Sequence, residues 1–283
     1  MTTAARTSTS DRTAIVTGAS RGIGRLIARS LATAGYRLVL ASRSPAEIEQ
    51  LAAELRGHGA TALAVPTDLT DDGSLARLAR TAERELGRID VLVNNAGGDP
   101  QHEFDAMTWD QNLAILRLNL LAPIHLAHEL LAGMLEHKRG HIVNISSIAG
   151  RVGFPYTEAY AAAKDGLIAF TRVLRNDYRA RGVSASAVIL GAIRDAGQGQ
   201  RTSDEMGMAM PRAGTSPAAA VPAAILDAIN HDRAEIVVMP GPGRLLKAML
   251  DLSPAMGARM NQVAGANATM RKVIEHRRQT AAM

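Results

Sequence analysis

The chain contains no cysteine. That excludes a disulfide framework, a thiolate metal site and a cysteine nucleophile. It also fits a chain kept in a reducing cytosol, so a cytoplasmic location is expected. Aromatic residues are scarce, at 3%, which leaves a base-stacking nucleic-acid surface poorly supplied; no nucleic-acid partner is expected. No apolar run approaches the ~18–20 residues of a membrane-spanning helix, so no span is expected. Residues 1–10 are rich in Ser and Thr but carry one Arg and no apolar core. They read as a flexible tail over residues 1–11 rather than a secretory signal or transit peptide. His-Glu-x-x-His and Gly-x-Ser-x-Gly patterns are missing, and the eight His are dispersed; no metal is expected.

What is present is ordinary globular composition: 283 residues, 47% hydrophobic and 21% charged. Such a chain buries roughly three quarters of its unfolded surface and needs no staples. The net charge of +5 raises nucleic acid or anionic lipid as partners. However, the 32 Lys and Arg are scattered, and the densest cluster is Arg271, Lys272, Arg277 and Arg278 near the end. A soluble protein with a basic tail is the simpler reading.

Short β-branched runs alternate with helical patterns. The strand candidates are 13–17, 37–41, 61–65, 89–93, 141–145, 183–190 and 235–239. Several are apolar on both faces, as in a parallel sheet buried between helix layers. Helices are predicted near 23–34, 45–57, 72–86, 109–137, 156–181, 216–230 and 244–252. Ser44-Pro45-Ala46-Glu47 and Thr108 with Gln111 read as capping boxes. Strand–helix–strand alternation implies right-handed crossovers and an α/β, single-domain, Rossmann-type doubly wound parallel sheet of about seven strands flanked by helices. The catalytic domain is expected over 12–240 and a C-terminal helical extension over 241–283.

The first strand runs into Thr17-Gly18-Ala19-Ser20-Arg21-Gly22-Ile23-Gly24 and then a helix. Glycines there let backbone N–H groups approach a pyrophosphate at the positive end of the helix. Strand–turn–helix is the context this mechanism requires. Asn94-Asn95-Ala96-Gly97 follows the fourth strand, and Asn119 lies in a long helix. Ser147 follows the fifth strand; thirteen residues on comes Tyr160, then Lys164. Four residues of helix put Tyr160 and Lys164 on one face. A Tyr hydroxyl titrates near ~10, and a neighbouring ammonium is expected to lower that value. The pair is then a tunable proton donor or acceptor, with Ser147 placed to bond a substrate oxygen.

Together these motifs, over about residues 12–240, resemble the short-chain dehydrogenase/reductase family. The resemblance implies a catalytic tetrad of Asn119, Ser147, Tyr160 and Lys164, Asn119 holding a proton-relay water. It implies cofactor contacts from Gly18, Ser20, Arg21, Gly22, Ile23 and Gly24, from Ser42 and Arg43, and from Asp68 and Leu69. Further contacts are Asn95, Ala96 and Gly97, Tyr160 and Lys164, and Gly191 and Ile193. The second strand ends in Ala41-Ser42-Arg43, without the acidic residue an NAD site usually has; Arg43 and Arg21 can grip a 2′-phosphate. NADP(H) is therefore expected over NAD(H). The implied activity is interconversion of a ketone and a secondary alcohol by hydride transfer, reduction favoured, in a homodimer or homotetramer built on the 109–137 and 156–181 helices. The alternatives are a non-catalytic dinucleotide sensor and an NAD-dependent alcohol dehydrogenase.

The chain departs from the family after the sixth strand, where Leu190 and Asp195 replace the Pro and Thr of Pro-Gly-x-x-x-Thr. A carboxylate at the Thr position can still accept from the nicotinamide amide, but it sits less comfortably near the cofactor phosphates, so the resemblance leaves the part played by Leu190 and Asp195 in cofactor binding open. Substrate contacts are expected from Gly98–Gln101, Ile148–Phe154 and 191–214. The last stretch holds five glycines and Met206, Met208 and Met210. It reads as a lid over a largely apolar substrate.

Overall fold

The structure is a computed structural model and describes residues 12–263 and 265–281. The tail expected over 1–11 lies outside the described residues. In chain order the first half is β1 (Thr13–Thr17), α1 (Gly22–Thr33), β2 (Arg37–Ser42), α2 (Pro45–Gly57), β3 (Ala62–Pro66), α3 (Asp72–Leu86) and β4 (Val91–Asn94). Then follow α4 (Trp109–Leu116), α5 (Ala122–Glu136), β5 (Gly140–Ser147), α6 (Ala149–Val152), α7 (Glu158–Tyr178) and β6 (Val183–Leu190). The rest is β7 (Ile193–Arg194), α8 (Gly197–Glu205), β8 (Ser216–Pro217), α9 (Ala220–Asn230), β9 (Glu235–Val238), α10 (Gly243–Leu252), α11 (Pro254–Val263) and α12 (Ala266–Ala281).

Seven strands pair in the order β3-β2-β1-β4-β5-β6-β9, all parallel, and β7 pairs β8 apart from them. Side chains alternate across a strand, and here both faces are apolar. Ala14 and Val16 of β1 join one core with Ile27 and Leu31 of α1, Leu51 of α2 and Ile225 of α9. Ile15, between them, joins the other with Leu78 of α3, Leu126 and Leu130 of α5 and Leu174 of α7. This explains why the strand runs are continuously apolar. The order reverses between β2-β1 and β4, and ligands of open α/β sheets bind beyond the strand ends at such a point.

Local signals account for most boundaries. Asp71 caps α3 by accepting from the N–H groups of Gly73 (3.2 Å) and Ser74 (2.9 Å). Thr108 and Gln111 form the expected capping box on α4. The box expected at Ser44 and Glu47 is not made: α2 starts at Pro45, but the Ser44 side chain caps nothing. Ser44 instead borders the cavity described below, and Pro45, with no N–H, starts the helix through its fixed φ.

The single helix expected over 109–137 is interrupted by a π-helical turn at Arg117–Leu121. Pro123 lacks the N–H that would bond the carbonyl four residues back, that of Asn119, and its ring crowds that carbonyl. The ladder widens there, as π-bulges do at functional positions. The helical run Trp109–Glu136 is long and apolar enough by composition to cross a membrane, which the sequence reading did not foresee. One face of it is nonetheless buried in the protein core, through Ile115, Leu126, Leu130 and Met134.

Candidate active site

A cavity of about 650 Å³ opens at the carboxyl ends of β1, β4, β5 and β6. The glycine loop forms one side. Thr17 Oγ1 accepts from the N–H groups of Asn95 (3.0 Å) and Ala96 (3.1 Å), and Asn95 Nδ2 donates to the Thr17 carbonyl at 2.9 Å. The loops after β1 and β4 are thereby locked together. A Cβ on Gly24 would collide with the Gly18 carbonyl, so the first turn of α1 lies against the backbone it follows.

Gly18, Ser20, Arg21, Ile23, Gly24, Ser42, Arg43, Asp68, Leu69, Asn95, Ala96, Gly97, Gly191 and Ile193 all line this cavity, as do Ser147, Tyr160 and Lys164. Gly22 does not. It turns the loop at φ +55 and passes close to Gly197 at the start of α8. Asn119 also lies outside the cavity lining, fully buried behind Gly97 and Gly98. Its Nδ2 donates to the carbonyls of Gly98 (2.8 Å) and Ile115 (2.9 Å), and its Oδ1 accepts from the Gly98 N–H at 3.1 Å. A Cβ on Gly97 would sit 2.7 Å from Asn119 Oδ1 and 3.1 Å from Lys164 Nζ. Only glycine lets those two polar groups converge here.

A ladder of buried amides sets α7 against the sheet. Asn94 Nδ2 donates to Asn144 Oδ1 (2.8 Å), Asn144 Nδ2 donates to Thr171 Oγ1 (2.9 Å), and Ser146 Oγ donates to the Lys164 carbonyl (2.7 Å). Lys164 Nζ donates to the Ile145 carbonyl at 2.9 Å and lies 5.6 Å from the centroid of the Tyr160 ring. Burial pushes Lys164 down to about 8. Burial also pushes the Tyr160 hydroxyl up to about 12; the Ser147 hydroxyl opposes this by bonding the phenolate, and the Asp99 charge adds to it. The expectation that Lys164 lowers Tyr160 is thus corrected. The ammonium is directed at a backbone carbonyl, and desolvation of the phenolate outweighs it.

Asp195 lies away from the site. It is exposed, takes the left-handed φ of 72, faces Arg194 at 3.6 Å and borders no part of the cavity. Met208 and Met210 line the cavity as expected, whereas Met206 ends α8 and does not. Asp68 Oδ1 accepts from both the N–H (2.9 Å) and the hydroxyl (2.8 Å) of Thr70. These bonds hold its carboxyl below the ordinary value, with Arg43 assisting.

A model of the short chain dehydrogenase family matches residues 12–206. The chain belongs to that family. It is 34% identical over 253 residues to the ketoacyl reductase HetN of Nostoc sp., covering 88% of this chain and 87% of that one. It is 36% identical over 189 residues to 2-(S)-hydroxypropyl-CoM dehydrogenase 3 of Xanthobacter autotrophicus, covering 66% and 73%. Among solved structures, a metagenomic short-chain oxidoreductase in complex with NADP is similar at a TM-score of 0.71 and 31% identity, covering 83% of this chain and 100% of that one.

This short-chain dehydrogenase completes its cavity with residues beyond the matched 12–206. Thr269, Met270 and Val273 of α12 form part of the wall. Arg277 Nη2 donates to Glu205 (2.7 Å) of α8, its Nη1 bonds the Pro100 carbonyl, and Arg278 bonds Glu103 at 2.5 Å. The predicted basic tail is therefore partly an ion-paired wall element. No local sequence signal announces this, because its partners lie more than 70 residues away. Two polar residues were expected in the wall only as part of a loop: Asp99 and Gln101. Burial raises Asp99 to about 6; the Gln101 N–H opposes the rise, Glu158 adds to it, and Arg277 opposes it. Among the described residues, Asp99 Oδ2 and Gln101 Oε1 are buried without partners, each at a cost of about 1–3 kcal/mol.

Proposed function

We propose that this oxidoreductase reduces a ketone to a secondary alcohol with NADPH. One observation carries the reading: Ser147, Tyr160 and Lys164 share a cavity wall with the glycine loop, and Tyr160 keeps its proton at neutral pH. A hydroxyl in that state is a proton donor, which suits reduction. Ser147 hydrogen-bonds the carbonyl oxygen as charge develops there. Lys164, mostly protonated at neutral pH, supplies positive charge beside Tyr160. Asn119, behind Gly97, positions the backbone against Lys164 and stands where a relay of protons would pass.

The residues present fit a nicotinamide dinucleotide. Gly18 and Gly24 let the loop close tightly on itself, since a Cβ on Gly18 would meet Ala96 and one on Gly24 the Gly18 carbonyl, and the loop opens onto the N-terminus of α1, where an anion is favoured. The cofactor, when bound, supplies the hydride. Arg21 and Arg43 flank the place after β2 where an NAD site has a carboxylate, and this favours NADP(H) over NAD(H). Gly22 shapes the loop without facing the site.

The substrate class is a mainly apolar carbonyl compound, as Ile148, Val152, Phe154, Met208 and Met210 support. Residues 191–214 act as the lid, and α8 within them has no buried residue of its own. The protein assembles as a homodimer or homotetramer through α4, the π-helical turn, α5 and α7, on which Trp109, Leu121 and Val173 are 67%, 47% and 60% exposed. A cytoplasmic location accords with the lack of cysteine. A panel of ketones assayed with NADPH and NADH tests the reading. Tyr160→Phe should lower turnover by ~10²–10⁴ while cofactor binding persists. Turnover unaffected by Tyr160→Phe overturns the mechanism, and no turnover of any carbonyl favours a dinucleotide sensor.

A further inference from the structure

The first turn of α8 lies on the glycine loop. A Cβ on Gly22 would sit 3.4 Å from the Gly197 nitrogen, and one on Gly197 would sit 2.9 Å from Ile23 Cδ1 in the first turn of α1. Arg201 follows Gly197 by four residues, so the two share a face of α8. Gln198, Thr202 and Glu205 occupy a neighbouring face, which is turned to Asp99 and Arg277. Arg201 and Arg21 both line the cavity, and both residues are exposed.

The packing of α8 on the loop thus brings two guanidinium groups to one cavity. Loss of water against the wall lowers Arg201 below the ordinary arginine value, and the like charge of Arg21 lowers it further. Among the described residues no carboxylate answers this charge. The acids of the segment are committed elsewhere: Asp195 faces Arg194 (3.6 Å), Asp204 accepts from Gln200 (2.8 Å) and Glu205 pairs with Arg277 (2.7 Å). Like charges gathered at a cleft draw in an anion. The planar fork of Arg matches phosphate oxygens in particular. Arg21 stands in the loop before α1, where a helix N-terminus favours phosphate.

We propose that Arg201 is a cofactor-binding residue carried on α8: with Arg21 it bonds a phosphate group of the nicotinamide dinucleotide, and so ties α8 down over the occupied cavity. The proposal rests on the dinucleotide reading and adds to it, since part of the cofactor site then belongs to the lid. The pyrophosphate and the 2′-phosphate offer the same oxygens, and a comparison of NADP⁺ with NAD⁺ separates them.

The test is calorimetric titration of the full chain with NADP⁺ and with NAD⁺, in the wild type, Arg201→Met, Arg201→Glu and Arg201→Lys. Arg201→Met should weaken NADP⁺ binding about tenfold, as loss of a hydrogen bond to a charged group does. Arg201→Glu should weaken it further, and Arg201→Lys should restore part of the loss. An equal loss for both nucleotides assigns the pyrophosphate; a loss for NADP⁺ alone assigns the 2′-phosphate. The free protein should keep its melting temperature in Arg201→Met, because the change removes a repulsion, whereas the rise on adding NADP⁺ should shrink. Hydrogen exchange over 197–205 should slow on NADP⁺ binding in the wild type and less in Arg201→Met. Unchanged affinity for both nucleotides in Arg201→Glu overturns the proposal. So does a loss in Arg201→Met that accompanies a lowered melting temperature of the free protein and is not restored by Arg201→Lys. Failure of the reductase reading looks different: the wild type binds dinucleotide but reduces no carbonyl, and the affinities still decide the role of Arg201. A wild type that binds neither nucleotide overturns both.

Discussion

Lys164→Met should abolish most turnover and, at neutral pH, leave the protein at least as stable as before. Burial lowers the Lys164 pKa from 10.5 to about 8. At about 1.4 kcal/mol per pH unit, the charged side chain costs the folded state about 3 kcal/mol. Met has a similar length and no charge to desolvate. It also has no donor for the Ile145 carbonyl, bonded by Nζ at 2.9 Å, and losing that bond costs about 1–3 kcal/mol. The net at pH 7 is a gain of about 0–2 kcal/mol.

The pH dependence separates the two contributions. Below about pH 8 Lys164 is charged in both states, and the full penalty is present. Between 8 and 10.5 the folded state has released the proton while the unfolded state still holds it. The unfolded state then binds more protons, so wild-type stability rises with pH. Urea unfolding at pH 7 and at about pH 9.5 should show the wild type gaining about 2 kcal/mol on the variant. Every other titrating group cancels in that difference. A gap between the two proteins that does not change with pH would refute a desolvated ammonium at this position.

Arg43→Asp should move cofactor preference from NADPH towards NADH, since a carboxylate repels a 2′-phosphate and accepts from a 2′-hydroxyl; the ratio of kcat/KM with the two cofactors checks it. Gly24→Ala should weaken NADPH binding at least tenfold and cost about 1–3 kcal/mol of stability, because the new methyl meets the Gly18 carbonyl; fluorescence titration and melting temperature read both. His141, bonded to Ser186 Oγ at 2.7 Å, is lowered by burial from 6.5 to about 4. Stability should therefore fall as pH drops from 6.5 to 4, by up to about 3 kcal/mol, and His141→Gln should flatten that limb in acid titrations of unfolding.

The fold was legible because its signals are local and periodic. Thr13–Thr17 is an apolar run with both faces in a core, and Asp72–Leu86 carries its own cap in Asp71 and its own stripe in Leu75, Leu78, Ala79, Ala82 and Leu86. Tyr160 and Lys164 were legible because four residues of helix place them together whatever surrounds them. Their titration was not, since it follows burial rather than spacing. The π-helical turn had a readable cause in Pro123, which a helical pattern read by apolarity alone passes over. Thr269, Met270 and Val273 were illegible for a different reason. Their part in the site depends on where α12 lands, and Arg277 finds Pro100 and Glu205 only after the whole chain has folded.

The way the cavity is closed bears on how it opens. α8 buries none of its own residues, so no core packing anchors it. Its ties are polar: the two bonds of Gln198 to the Asp99 backbone, and Glu205 with Arg277 of α12. Net contributions of such bonds are about 0.5–1.5 kcal/mol each, and half-exposed ion pairs weaken with salt. A segment held this way can leave the cavity without disturbing the sheet, whereas the loop carrying Asp99 and the wall carrying Met270 lose a support each time it does. The position of α8, the setting of Asp99 and the seating of α12 are thereby coupled. α8 therefore bears on the Asp99 loop as much as on the side of the cavity that it covers.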